Sequence, residues 1–220
     1  MSEHDFKTSQ LLFGGDYNPE QWLDYPEILE RDIELFKQAG INTVTMGMFS
    51  WSRLEPEEGQ YHVQWLLDIV DRLYQNGIYT IQGTPSGARP NWLARQYPQV
   101  LRVDSMRRRN LFGGRQNHCY TSPDYRKKVW EINRLLGEKI GTHPGVILLH
   151  LSNEYGGDCH CPLCQAAFRN WLKEKYGTIQ ELNRRWNTEF WSHTYQSFDQ
   201  IESPSPLGEM MLHALTLDWM

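Results

Sequence analysis

The sequence predicts an α/β fold, the first half of a (β/α)8 TIM barrel, and three observations carry that reading. Short apolar runs alternate with amphipathic stretches of helical length along the chain. The runs are nearly continuous in apolar residues, as in strands buried on both faces of a parallel sheet. Each run opens into a polar, aromatic loop: Asp16-Tyr17-Asn18, Phe49-Ser50-Trp51, Thr84-Pro85-Ser86 and Asn153-Glu154-Tyr155. Barrel active sites are assembled from such C-terminal strand ends. An open doubly wound sheet shows the same alternation, but Gly14-Gly15-Asp16 lacks the glycine spacing of a phosphate-binding turn that leads into a helix.

The elements follow in order. Residues 1–10 are polar and read as a poorly ordered tail. Leu11–Tyr17 is expected to be a buried strand. Tyr25–Gly40 reads as a helix with Ile28, Ile33, Leu35 and Phe36 as its apolar positions and Gly40 as its stop. Ile41–Met48 is a β-branched strand, and a turn-rich loop separates it from a helix at Val63–Gln75, closed by Asn76-Gly77. Ile78–Gln82 is the third strand. A longer connection holds a short helix at Pro90–Tyr97 and the segment Gln99–Cys119. Tyr125–Ile140 is a helix announced by Ser122-Pro123, and Val146–Leu151 is the fourth strand. Helical stretches at Cys164–Tyr176 and Ile179–Trp186 and an amphipathic run at Leu207–Met220 complete the chain. Four strands are half of what a closed barrel of roughly 250 residues requires. The 220 residues therefore read as a fragment, with 11–220 the N-terminal portion of one barrel.

Composition removes several function classes. A formal net charge of −5 argues against a nucleic-acid surface, which normally carries a basic stripe. Arg107-Arg108-Arg109 is short and reads as a solvated loop. No stretch approaches the apolar length of a bilayer span, and the polar start shows no secretory signal, so a cytoplasmic protein is expected. In a reducing compartment the four cysteines point to metal binding or free thiols before disulfides. Nine Trp, eleven Tyr and eight Phe suit either a core or a sugar-binding cleft, and composition does not separate the two.

Two groups of residues bear chemistry. Glu154 directly follows the fourth apolar run, where withdrawal from water favours the protonated form that a general acid holds at neutral pH. A helix-capping role is the plainer reading of the same position. The amide of the neighbouring Asn153 could donate to a substrate hydroxyl. The second group is Cys159-His160-Cys161-Pro162-Leu163-Cys164. Its three thiols can converge on one tetrahedral ion, with Cys119 as a fourth ligand and His118 and His160 in reserve. Four thiolates leave no open position, so such a zinc would be structural and would brace the loop after Glu154. Arg115, four residues before Cys119, is either presented to the cleft by that brace or a surface arginine. Asp16, Asn18 and Glu20 follow the first strand, and Asp16 fits a turn or cap. Trp51 and Trp191 are sugar platforms or core residues with equal weight. Glu55 reads as a loop carboxylate.

Gly14-Gly15-Asp16-Tyr17-Asn18-Pro19-Glu20-Gln21-Trp22, Phe49-Ser50-Trp51-Ser52-Arg53-Leu54-Glu55-Pro56, Ser152-Asn153-Glu154-Tyr155-Gly156 and the cysteine cluster together resemble glycoside hydrolase family 42. The resemblance runs from about Leu11 onward. It implies a retaining β-galactosidase on a (β/α)8 barrel, acting on β-D-galactosides, with no catalytic cofactor and often a homotrimer. Glu154 would be the acid/base, while Arg115, Asn153 and Trp191 would line the galactose subsite. Cys119, Cys159, Cys161 and Cys164 would hold a structural zinc. The family's nucleophile is a glutamate after the seventh strand, which these 220 residues do not reach. That departure leaves a non-catalytic, zinc-braced carbohydrate-binding fragment as the alternative. Zinc hydrolysis ranks last, because four thiolates leave the metal no site for water.

Overall fold

The computed structural model describes residues 8–220, so positions 1–7 of the polar tail lie outside the described residues. The chain divides into two compact units that interleave in sequence. The first takes the chain up to Pro98, Gly114–Gln116 and Lys127–Gly156. The second takes Gln99–Gly113, Asn117–Arg126 and Gly157–Met220.

In the first unit, strands β1 (Gly14–Asp16), β2 (Thr43–Met46), β3 (Tyr79–Gly83) and β4 (Val146–His150) form one parallel sheet in the order β1-β2-β3-β4. Each strand pairs with its predecessor and the order never reverses, whereas a doubly wound sheet switches direction at its centre. The arrangement is the first half of a (β/α)8 barrel, as expected. Val44 faces Thr80, and Thr80 faces Val146, beyond which a register shift sets Ile81 opposite Leu148. Gly83 is required at the end of β3, because a Cβ there would lie 2.9 Å from the Met48 backbone nitrogen.

The helices of this unit are punctuated where the sequence placed the signals. Helix α1 (Pro26–Ala39) starts on proline and stops at Gly40, whose φ of 73° lets the Ile41 N–H reach the Phe36 carbonyl at 2.8 Å. A single turn, α2 (Trp51–Leu54), follows β2. Helix α3 (Gln64–Gln75) buries Leu66, Ile69, Val70 and Leu73, one stripe of a 3.6-residue period. Helix α4 (Asn91–Gln96) is short, and α5 (Pro123–Lys139), which belongs to this unit from Lys127 onward, buries Ile132 and Leu136 four residues apart. Lys128 of α5 is buried with Glu58 and Glu131 each 2.8 Å from its Nζ. Burial alone would pull this ammonium down, but the two carboxylate partners push it up.

In the second unit, α6 (Pro162–Tyr176), α7 (Ile179–Trp186) and α8 (His213–Trp219) surround their own core. That core joins Phe168, Leu172, Leu182, Trp186, Phe198, Ile201 and Leu215. Thr178 caps α7 by accepting from the Glu181 N–H at 3.2 Å. The Trp186 indole N–H donates to Asp218 at 3.0 Å.

Three expectations need correction. The run Leu11–Tyr17 is a strand only at Gly14–Asp16, with Leu11 and Phe13 exposed. Leu148 and Leu149 of β4 are also exposed rather than buried. Both follow from position, since β1 and β4 are the outer strands of the described sheet and each pairs on one side only. The amphipathic run Leu207–Met220 is helical only from His213, because Gly208 sits in a turn closed by its N–H to the Ser205 carbonyl at 3.0 Å. Leu172 has no exposed surface, so Leu172→Ala is expected to cost about 2–5 kcal/mol. The check is loss of amide protection in α6 and α7 by hydrogen exchange.

Candidate active site

The chain leaves β4 through a turn that L-amino acids rarely make. Ser152 and Glu154 both have left-handed backbones, with φ of 59° and 45°. The Ser152 N–H donates to Thr84 Oγ1 at 2.7 Å, and the Thr84 N–H donates to the His150 carbonyl at 2.8 Å. Ser152 is thereby buried, while the Glu154 carboxylate projects past the strand end.

Residues Gly114–Gln116 dock against this turn within the same unit. The Gln116 N–H donates to the Gly87 carbonyl at 3.0 Å, and its side-chain amide donates to the Asn153 carbonyl. A Cβ at Gly87 would lie 3.2 Å from that amide nitrogen, a tight contact that the Gln116 side chain would have to ease. The docked segment carries Arg115, whose guanidinium pairs with the Glu154 carboxylate. The same guanidinium lies over the Phe49 ring at 5.5 Å. The structure therefore brings Arg115, Asn153 and Glu154 together. Withdrawal of Glu154 from water is not found: its side chain is 66% exposed and Arg115 is 47% exposed. Glu154 lies beyond β4, which has a strand on one side only. An ion pair this open adds at most ~1 kcal/mol of stability, so its effect is on position.

Other residues around the strand ends sort by burial. Trp51 is fully buried, which decides its reading for the core. Glu55 is a buried carboxylate, not an open loop one. It accepts from the Trp51 indole N–H and the Gly59 N–H, both at 2.8 Å. Asp16 is exposed, and Asn18 and Glu20 are half-buried. Burial raises the Glu20 carboxyl above its usual range. Trp191 belongs to the second unit, where it is 67% exposed and stacked on Phe190 at 5.6 Å between ring centres. Sequence reading placed Phe49 and Thr84 in strand-end loops without a role and did not single out Gln116, since their contacts with Arg115, Ser152 and Asn153 span 37 to 68 residues of chain and leave no local pattern.

The second unit gathers Cys119, Cys159, Cys161 and Cys164 with all four sulfurs within 4.8 Å of one another. Cys119 Sγ is 3.5 Å from both Cys161 Sγ and Cys164 Sγ. Thiolates around one tetrahedral ion at ~2.3 Å would be ~3.8 Å apart, so this donor set can hold a metal ion. The Val103 N–H points at Cys159 Sγ at 3.5 Å, and Thr121 Oγ1 is 3.3 Å from Cys164 Sγ. Its hydrogen bond with Cys159, reinforced by burial, pushes the Cys119 thiol up to about 12. Hydrogen bonds from Cys119 and Cys164 draw Cys159 well below the usual thiol range. Four thiolates cannot share this space without a cation to offset them. His160, held between Ser203 and Asp158 at 2.7 Å each, and the buried His118 lie outside this set.

Half of a parallel barrel, with a glutamate and its arginine partner beyond a strand's C-terminal end, places the chain among the α/β-barrel proteins with carboxylate-bearing strand ends. The family model Glyco_hydro_42, described as beta-galactosidase, matches residues 16–220. The chain belongs to that family, glycoside hydrolase family 42. It is 59% identical over 209 residues to the β-galactosidase BglY of Alicyclobacillus acidocaldarius, covering 95% of this chain and 30% of BglY. It is 58% identical over 210 residues to the β-galactosidase GanA of Bacillus subtilis, covering 95% of this chain and 31% of GanA. Among solved structures, the β-galactosidase of Rahnella sp. R3 is similar with a TM-score of 0.95 at 54% identity, over 97% of this chain and 31% of that one. The chain thus spans about 30% of the length of the relatives it matches.

Replacement of Cys161 by serine removes one of the four gathered thiols that can hold a metal ion. The expected outcome is loss of bound metal by elemental analysis, together with faster amide exchange at Val103. Unchanged metal content would show that the thiols do not form one site.

Proposed function

We propose that the protein containing this chain is a retaining β-galactosidase that releases terminal non-reducing β-D-galactosyl residues, with Glu154 as its acid/base. The observation that carries the proposal is the Glu154 carboxylate at the C-terminal end of β4, paired with Arg115 beside Asn153. Family membership and relatives named β-galactosidases at 59% and 58% identity support it.

Hydrolysis with retention needs two carboxyl groups roughly 5–5.5 Å apart. Protonated Glu154 gives its proton to the glycosidic oxygen while a second carboxylate attacks the anomeric carbon. The bond to the leaving group breaks, and a glycosyl–enzyme ester forms. Glu154, now a carboxylate, takes a proton from water, which attacks the same carbon and frees galactose. The second carboxylate is assigned to sequence outside these 220 residues, in keeping with the greater length of the relatives.

The Arg115 guanidinium and the Asn153 amide are assigned to galactose hydroxyls, and the exposed Trp191 ring to a sugar face. Charge-assisted bonds fix a hydroxyl's direction, and an aromatic face packs on the sugar C–H surface. The metal at Cys119, Cys159, Cys161 and Cys164 is proposed to be zinc, since thiolates suit it and a four-thiolate shell is structural. No catalytic cofactor is required by this chemistry. Residues 11–220 are proposed as the N-terminal portion of the barrel, preceded by a polar tail over 1–10. The full-length enzyme is proposed to be a cytoplasmic homotrimer. Among the described residues no helix is long and apolar enough to cross a membrane.

In the full-length protein, Glu154→Gln is expected to lower kcat/KM on alkyl β-galactosides roughly 10²–10⁴-fold, the usual weight of general acid–base catalysis. Glycosylation by a dinitrophenyl galactoside needs no proton and is expected to fall far less. Full activity of Glu154→Gln on an alkyl galactoside would sink the assignment.

A further inference from the structure

At the end of β3 a side chain takes over a place in the hydrogen-bond ladder that the main chain would ordinarily fill. Strands β3 and β4 are parallel, with Gly83 opposite His150. In a parallel ladder a residue gives its N–H to one residue of the neighbouring strand, and its carbonyl accepts from the residue two further on. Thr84 keeps the first half of this pattern, since its N–H donates to the His150 carbonyl at 2.8 Å. The N–H two residues further on belongs to Ser152, and it donates at 2.7 Å to the Thr84 hydroxyl. Thr84 Oγ1 therefore stands where a continued ladder would use the Thr84 carbonyl.

The course of the backbone explains the exchange. Thr84 is still extended, with φ −91° and ψ 135°, but Pro85–Gly87 turn away as a single 3-10 turn. The side chain keeps hold of β4 after the main chain has begun to leave it. Thr84 and Ser152 are both buried, so the bond is shielded from water. The N–H it holds governs the turn that carries Glu154. The φ torsion of Ser152 begins at that nitrogen and sits at 59°. Released, it would swing roughly 120° to the negative values that L-residues prefer. Asn153 and Glu154 follow directly in the chain and would move with it. Gln116 grips the turn one residue later, at the Asn153 carbonyl, beyond this torsion.

We propose that Thr84 is a positioning residue for galactoside hydrolysis, its hydroxyl holding Ser152 left-handed and so keeping the Glu154 carboxyl aimed at the glycosidic oxygen. This inference rests on the reading of Glu154 as the acid/base. Thr84 itself touches neither substrate nor reacting atoms and acts through the turn. The oxygen is the group that matters. Valine has the shape of threonine but cannot accept the N–H, whereas serine retains the acceptor.

The test compares full-length Thr84→Val, Thr84→Ser and Glu154→Gln on two substrates. One is an alkyl β-galactoside, whose leaving group needs a proton, and the other a dinitrophenyl β-galactoside, whose leaving group does not. The ratio of the two kcat/KM values cancels differences in the amount of folded enzyme, so a merely structural role would not move it. In Thr84→Val the alkyl substrate is expected to lose roughly 10- to 100-fold more than the dinitrophenyl one, because misplacing a reacting group by about 1 Å costs about 10²-fold. Thr84→Ser is expected to keep the wild-type ratio. An unchanged ratio in Thr84→Val overturns the proposal, whether both rates fall together or neither falls. A ratio altered as much in Thr84→Ser overturns it too, since the oxygen is then not the cause. Glu154→Gln separates the two levels of failure. If its ratio changes and that of Thr84→Val does not, the positioning role fails alone. If the Glu154→Gln ratio is itself unchanged, the acid/base reading has failed and takes the positioning role with it. Should Thr84→Val not fold, Thr84→Cys replaces it, because sulfur is a weak acceptor. Its ratio is expected to shift in the same direction, and an unchanged ratio there decides against the proposal.

Discussion

The turn after β4 is held by hydrogen bonds from two distant segments, and the backbone explains why it needs them. A left-handed conformation costs an L-residue on the order of 1–2 kcal/mol, and both Ser152 and Glu154 adopt it. Unsupported, the turn would relax and the carboxylate would lose its direction. Thr84 Oγ1 accepts from the Ser152 N–H on one side, and the Gln116 amide donates to the Asn153 carbonyl on the other. Arg115 is carried in by the same docking, so the pairing with Glu154 is a product of the support and not its cause. Strain of this kind persists only where the surroundings over-determine it, which is common at functional sites.

A second constraint operates where polar groups are buried. Glu55 has no exposed surface, yet it receives two N–H donors that tie α2 to the loop at Gly59. Lys128 is likewise buried and met by two carboxylates. The four gathered thiols of the second unit can meet the same rule by holding a metal ion. Glu55 and Lys128 are each matched by partners elsewhere in the chain.

Much of the fold was legible because periodicity and punctuation are local. Gly40, Asn76-Gly77 and Ser122-Pro123 mark helix ends through backbone geometry that a few residues determine. Glu154 and the cysteines were legible as well, since a carboxylate after an apolar run and a close thiol spacing are short-range patterns. What escaped is tertiary. Nothing around Gln116 or Thr84 announces a hydrogen bond to residues 152 and 153, and the acidic context of Glu55 gives no hint of burial. The exposure of Leu148 and Leu149 was equally hidden, because an apolar strand does not record how many neighbours it has.

The interleaving of the two units bears on the order in which the chain acquires structure. Synthesis delivers Cys119 about forty residues before Cys159, with α5 and β4 between them. The thiol cluster therefore encloses a long loop, whose closure entropy must be met before the cluster repays it. All four described strands of the first unit have been made at His150, before three of the four sulfurs. A metal ion of the kind these four thiols can hold would meet its full set of ligands only once Cys164 has been made. A nascent chain short of Cys164 has at most three of the four thiols, one fewer than a closed tetrahedral shell needs.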